Sequence, residues 1–332
     1  VQQIRFSVVI PIHNGRRHIG ETLDSMRAQH VLPDEIVIVD DHSTDAAHET
    51  IAAATDLPLT LVCPAKGRGV QAARNTGVRI ARNRHVALCD HDDPWLPGHL
   101  EAHARLYARY PDMEFSFSNF FRFSEAGREA SSKFDQAPPG WWESAGREIA
   151  EEGWLFGAAL APRTFEWHPI FPSGTVFTKD LFERVGAYNE QLRGSRAEDG
   201  EFTLRCLYAA KRIGALPSPS FLYRRHPDST TASKALSLAD EVKGLKMIRE
   251  THLEARPWHD IIDREISKRR LQAFDAAFAE KSHSLARELL QEIDTGGASM
   301  RQRLKVFCVR LPDAVGLPLN SVLQRLSRYR PG

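Results

Sequence analysis

The chain has 332 residues, 42% of them hydrophobic, enough for one large domain with an appendage or for two domains. Its 44 basic and 43 acidic residues leave a formal charge of +1, which gives no argument for nucleic acid or for a strongly acidic partner. The four cysteines, at 63, 89, 206 and 308, form no close pair, which excludes a disulfide framework or zinc ribbon and suits a reducing compartment.

Residues 6–12, FSVVIPI, predict a buried strand closed by Pro11, and His13-Asn14-Gly15 a turn. Ile19, Leu23 and Met26 place a helix over 18–29. EIVIV at 35–39 predicts a second strand ending at Asp40-Asp41, with Ser43 and Thr44 as caps of a helix running to Ala54. LTLVC at 59–63 predicts a third strand, and a turn at Lys66-Gly67-Arg68-Gly69 leads into a helix over 70–81. Residues 85–89 predict a fourth strand, which ends at Asp90-His91-Asp92-Asp93. Strand and helix alternate through these 90 residues, and parallel strands joined by crossover helices follow. Further on, a helix over 98–109, a strand over 115–121, a polar loop over 124–145 and an ambiguous apolar stretch over 151–161 are expected. A turn and strand over 171–178, a short helix over 179–186 and a helix from Glu198 to Ala210 complete this part. From about residue 235 the pattern is helical, at 235–254, 258–280, 283–293, 299–310 and 319–328, with a basic end. The longest apolar stretch, Trp154 to Ala161, is too short to span a bilayer, and no signal peptide is visible.

Neither G-x-G-x-x-G nor G-x-x-x-x-G-K-[ST] follows a strand. Polar residues stand instead at successive strand ends: His13 and Asn14, Asp40 and Asp41, Arg68, then Asp90 to Asp93. In an open α/β sheet that edge is the ligand-binding crevice. Three Asp in four residues repel one another unless a positive charge sits among them, and a hard divalent metal carrying a phosphate ester answers that need. A solvated acidic turn, helped by Pro94, is the other reading.

Five blocks carry a resemblance to a known family. Ser7-Val-Val-Ile-Pro-Ile-His-Asn14, Asp40-Asp41-His-Ser-Thr-Asp45, Arg68-Gly-Val-Gln-Ala-Ala-Arg74-Asn75-Thr-Gly77, Asp90-His-Asp92-Asp93 and Glu198-Asp199 resemble, in order and spacing, those of family 2 nucleotide-sugar glycosyltransferases. The resemblance covers roughly residues 4–230. It implies an α/β fold of GT-A type, a Rossmann-like, mostly parallel sheet flanked by helices, with a C-terminal helical appendage. It also implies inverting transfer from a nucleoside-diphosphate sugar, UDP-linked by family usage, with Mn²⁺ or Mg²⁺ as cofactor.

By this resemblance Pro11, His13 and Asn14 wall the base and Asp41 contacts it, although Asp40 and Asp41 also suit a helix cap. Arg68 faces the nucleotide or its phosphates, and Asp90 the ribose. Asp92 binds the metal, and His226, in Tyr223-Arg224-Arg225-His226, approaches the metal or pyrophosphate beside Arg225. Asp199 is the expected base, with Glu198 orienting it or binding acceptor, in an order that could be reversed. Ser173 and Gly174 form an acceptor floor or support, Asp93 is a supporting and capping acid, and Arg74 either braces the acidic loops or touches ligand. Trp141, Trp142, Trp154 and Trp167 are candidates for sugar stacking, at least half of them core, while Trp95 is expected in the core.

The expected division is a catalytic domain over 1–232, with a nucleotide half (1–97) and an acceptor half (98–232), then a helical region over 233–332. The acceptor is a glycan or lipid-linked saccharide, in polysaccharide, lipopolysaccharide or capsule assembly by family analogy. Nucleic acid is not an expected partner. The location is cytoplasmic, and the C-terminal helices offer peripheral contact at the inner face of the cell membrane or a homodimer interface. A sugar nucleotidyltransferase and an inactive nucleotide- or glycan-binding scaffold are the alternatives. The first gives no role to Glu198-Asp199, and intact acids in both halves argue against the second.

Overall fold

The computed structural model describes residues 4–66, 69–192, 198–226, 233–293 and 300–328. Over these the chain divides into two compact units, one up to His226 and one from Ser233 onward.

The first unit is built on ten strands: β1 (Phe6–Ile12), β2 (Glu35–Asp40), β3 (Leu59–Val62), β4 (His85–Leu88), β5 (Phe115–Ser124), β6 (Gly127–Arg128), β7 (Glu148–Ala150), β8 (Gly153–Phe156), β9 (Thr175–Thr178) and β10 (Ile213–Arg224). Its helices are α1 (Arg16–Arg27), α2 (Ala47–Ala53), α3 (Val70–Ile80), α4 (His99–Arg109), α5 (Trp141–Ser144), α6 (Leu160–Arg163), α7 (Lys179–Val185) and α8 (Glu198–Ala209). The sheet order is β3-β2-β1-β4-β9-β5-β10-β8-β7, with β6 paired to β5. β3, β2, β1 and β4 are parallel, β9 runs antiparallel to both its neighbours, and β5 and β10 are again parallel.

All seven residues of β1 are buried, as a parallel strand covered on both faces requires. Val8, Ile10 and Ile12 share a core with Ile19, Leu23 and Met26 of α1. The alternate residue Val9 faces Gly77 of α3 on the other side: a Cβ built on Gly77 would lie 2.4 Å from Val9 Cγ1 and 3.3 Å from Val39 Cγ2. Gly77→Ala is therefore expected to push α3 off the sheet and cost about 1–3 kcal/mol, measurable by denaturant unfolding. A wild-type midpoint would show that this contact is slack.

β10 is not visible in the sequence pattern, because Pro217 and Pro219 interrupt it. The strand survives through register shifts between Leu216 and Phe221, where the prolines sit without breaking the pairing with β5. The expected loop over 124–145 holds β6 and α5, and the ambiguous stretch over 151–161 resolves into β8 followed by α6.

The second unit contains α9 (Lys234–Thr251), α10 (His259–Ala279), α11 (His283–Leu290), α12 (Met300–Arg310) and α13 (Asp313–Arg328). Lys281, at φ 59°, breaks α10 from α11. Phe274, Ala277, Phe278, Ala286, Cys308 and Val309 form its core. Gly316 lets α12 and α13 close on each other, since a Cβ there would lie 2.4 Å from the Cys308 carbonyl oxygen. α13 starts ahead of Pro318 rather than after it. No helix among the described residues is long and apolar enough to cross a membrane.

Candidate active site

The C-terminal ends of β1, β2 and β4 lie side by side, because those strands are parallel neighbours. His13 and Asn14 tie the first two ends together. His13 Nδ1 donates to the Asp41 carbonyl oxygen (2.9 Å), which leaves Nε2 to accept from Asn14 Nδ2 (3.2 Å). Asn14, at φ 53°, takes the Ser43 hydroxyl on its N–H and accepts from the Thr44 N–H at 2.7 Å. Asp40 Oδ1 accepts from the Ser43 N–H (2.8 Å), the turn cap its position allows. Asp41 Oδ2 accepts from the Gly69 N–H (2.9 Å), so it ties the β2 end to the start of α3. Pro11 is buried inside β1. Arg68 lies outside the described residues.

The acidic loop after β4 is held from below. Asp93 is 2% exposed and accepts from Ser173 Oγ (2.6 Å) and from the Arg224 backbone N–H (2.9 Å). Burial, then the nearby Asp92 and Asp90 charges, push its carboxyl well above the ordinary range. Ser173 Oγ also accepts from the Asp90 N–H (3.0 Å), and Trp95 Nε1 donates to the Ser173 carbonyl (2.7 Å). Ser173 and Gly174 are both buried, and a Cβ on Gly174 would meet Phe221 at 2.5 Å and Ser118 Oγ at 2.8 Å. Packing against β5 and β10 therefore requires that glycine, and the pair stands as support rather than as an open acceptor floor.

Asp92 reaches the other side of the loop. Its Oδ2 lies 3.2 Å from His226 Nε2, and its carbonyl accepts from Arg224 Nε at 2.9 Å. The Arg224 guanidinium also pairs with Glu21 of α1. Among the described residues no three His, Cys, Asp or Glu side chains converge into a self-contained metal site. Asp92 and His226 nevertheless fit part of one. Two ligands bound at about 2.1 Å in adjacent octahedral positions lie about 3 Å apart, and Mg²⁺-type cations take their other ligands from substrate phosphates and water.

The second acidic pair is joined to this loop by one guanidinium. Arg74, on α3, is 2% exposed. Its Nη2 donates to Asp90 Oδ1 (2.8 Å) and its Nη1 to Asp199 Oδ1 (2.5 Å), with Glu198 Oε1 at 4.0 Å. The Tyr188 ring lies against the guanidinium, 5.5 Å from centroid to Cζ. The next residue, Asn75, fixes Tyr188 by accepting from its N–H (2.7 Å) and donating to its carbonyl (3.0 Å). Two consecutive residues of α3 thus position the start of α8 against the β4 loop.

The two acids of α8 differ in surroundings. The Glu198 side chain is 10% exposed, and its Oε2 is buried with no hydrogen-bond partner among the described residues. Burial, then the Asp199 charge, push its carboxyl up to about 8. The Asp199 side chain is 29% exposed. Burial raises its carboxyl to about 6, with Arg74 opposing and Asp90 adding to the rise. Burial thus raises both carboxyls, and the two titrate as a pair.

Several expected side chains fall elsewhere. Trp141 and Trp142 are 3% and 7% exposed, packed with Trp154, Trp167 and Phe134. They are core residues, not sugar platforms. Arg225 is exposed, and its backbone N–H extends the β5–β10 ladder by donating to Phe123. Its neighbour Arg224 is the residue that braces the acidic loop. His18, whose ring is 5.2 Å from that of His226, also belongs to this corner, and burial followed by the Arg224 charge lowers its pKa. Neither residue carries a signal by spacing, because each meets the loop only through the fold.

Residues 7–159 match the profile described as Glycosyl transferase family 2. The "Succinoglycan biosynthesis protein ExoO" of Rhizobium meliloti (strain 1021) is 27% identical over 327 residues, covering 96% of this chain and 86% of that protein. The "Uncharacterized glycosyltransferase EpsJ" of Bacillus subtilis (strain 168) is 26% identical over 229 residues, covering 68% of this chain and 62% of that protein, so the chain spans less than two thirds of its length. In fold the chain is similar to S. aureus TarS 1–349 in complex with UDP-GlcNAc, at a TM-score of 0.60 and 19% identity, covering 98% of this chain and 93% of that one. It is also similar to the mannosyltransferase PcManGT from Pyrobaculum calidifontis in complex with GDP-Man and Mn²⁺, at a TM-score of 0.58 and 18% identity, covering 100% of this chain and 82% of that one. The fold is of GT-A type.

Proposed function

We propose that this enzyme transfers a sugar, with inversion, from a nucleoside-diphosphate sugar to a hydroxyl of a glycan or lipid-linked saccharide, with a divalent metal. The observation that carries this reading is the buried Arg74 bridge from Asp90 to Asp199. It holds the donor-side acidic loop and the acceptor-side acidic pair at one guanidinium. In this reading residues 1–232 are the catalytic domain, with donor and acceptor halves meeting near residue 97, and 233–332 are a separate helical region.

Asp199 is the base, because its side chain is the more open of the two to solvent and Arg74 holds its carboxyl in place. It takes the acceptor O–H proton as that oxygen forms its bond to the anomeric carbon. The bond from that carbon to the diphosphate oxygen breaks, its electrons staying with the leaving nucleoside diphosphate. Glu198, protonated until about pH 8, orients the acceptor by hydrogen bonding. Asp92 and His226 would hold Mn²⁺ or Mg²⁺. The metal, when bound, neutralises charge on the leaving phosphate. His13, Asn14 and Asp41 line the base, and Asp90 contacts the ribose. A uridine donor is favoured by the acid at position 41 and by the UDP-GlcNAc in TarS, while the GDP-Man in PcManGT marks the competitor to test.

Asp92→Ala tests the metal role. Its calorimetric affinity for UDP should lose the gain that Mn²⁺ gives the wild type. An unchanged gain would remove Asp92 from the metal site.

A further inference from the structure

α12 and α13 expose apolar side chains, and α12 exposes arginines beside them, in a way that the helical core does not need. Ten large hydrophobic side chains are exposed among the described residues, and four lie in this pair: Leu304 (45%), Phe307 (59%), Val315 (49%) and Leu319 (37%). Phe307 is the only phenylalanine among the ten. The inward faces are already filled, by Cys308 and Val309 on α12 and by Gly316 and Asn320 on α13.

Basic residues are frequent in the same stretch of chain, where Arg303 and Arg310 are exposed and Lys305 pairs with Asp275 of α10. Residues 300–328 contain Arg301, Arg303, Lys305, Arg310, Arg325 and Arg328 against one acid, Asp313. That acid is paired with Arg287 of α11. The whole chain is only +1, so the remainder is net acidic. On α12, Arg303, Phe307 and Arg310 follow at spacings of four and three, share one helix face, and are all exposed. A solvated basic helix has no use for an exposed phenylalanine between two arginines. An apolar patch rimmed by charge marks an interaction surface. Apolar side chains that enter the acyl boundary with cations at phosphate level define the interfacial mode of binding.

We propose that the outer face of α12 and α13 docks this chain on an anionic phospholipid surface. Phe307 and Leu304 enter the bilayer interface, with Val315 and Leu319 beside them, and Arg303 and Arg310 meet lipid phosphates. A second copy of the chain suits this face less well, because two-fold pairing would set the same basic residues against each other. The proposal goes beyond the transferase chemistry and needs no donor, metal or acceptor.

The test is flotation of the full chain with vesicles of phosphatidylglycerol mixed with phosphatidylcholine, against vesicles of phosphatidylcholine alone. The chain should float with the anionic vesicles only, less so as salt rises. Arg303→Gln and Arg310→Gln should each weaken binding roughly fivefold. Phe307→Ser should weaken it at least about tenfold. Unchanged thermal melting of these surface variants would show that the fold is kept. Flotation with neither vesicle, or equally with both, would overturn the proposal. So would sedimentation of a dimer that Phe307→Ser dissociates, without flotation, which would assign the face to a second copy.

Discussion

Asp199→Asn should cut transfer by about 10²–10⁴-fold in kcat while leaving nucleoside-diphosphate affinity near that of the wild type. The amide keeps the shape of the side chain and still offers Arg74 an oxygen, but it cannot take a proton. Single-turnover transfer measured beside calorimetric UDP binding separates the two effects. Retained turnover would reassign the base, with Glu198 next in line. The pH profile supplies the sign. The working form of Asp199 is the carboxylate, and its carboxyl sits at about 6, so the wild-type rate should fall as pH drops through about 6. Glu198, up at about 8, titrates as part of the same pair, so the two limbs belong to the dyad rather than to single residues.

The second large effect is expected at Arg74. Arg74→Met keeps most of the volume and removes the charge that Asp90 and Asp199 share. Leaving buried carboxylates without their partner costs about 3–5 kcal/mol, which for a unit of this size lowers the melting temperature on the order of 10 °C. Because Arg74 holds the Asp199 carboxyl down, its loss should also move the acid limb of any residual activity to higher pH. Arg74→Lys keeps a charge but cannot fork to two carboxylates, so it should recover only part of the stability. A methionine variant that melts with the wild type would show that the bridge holds nothing together.

The parallel core was legible because it depends on local pattern. FSVVIPI, EIVIV and LTLVC are short apolar runs bounded by turns, and each becomes a strand within a residue or two of its expected ends. β10 was hidden because Pro217 and Pro219 read as breaks, and only pairing with β5 carries the strand past them. Trp141 and Trp142 looked available for sugars because they end a polar loop, yet tertiary packing closes over them. The site separates in the same way. The acids at strand and helix ends are visible as clusters in the sequence. Their partners are not: Arg74 and Asp199 are 125 residues apart, and Asp93 and Arg224 are 131 apart. Ser173 shows the limit most clearly. Its neighbourhood in the chain leaves acceptor floor and support both open, and only the fold puts its hydroxyl between Asp90 and Asp93.

In the proposed mechanism the strand-end crevice holds a nucleoside diphosphate through a metal at Asp92 and His226. Calorimetric titration of the wild-type chain with UDP, GDP, dTDP and CDP, each with and without Mn²⁺, tests it most directly. UDP should bind, and bind well only when Mn²⁺ is present. If no nucleoside diphosphate binds with Mn²⁺, or if binding is the same without it, the assignment of this crevice is wrong.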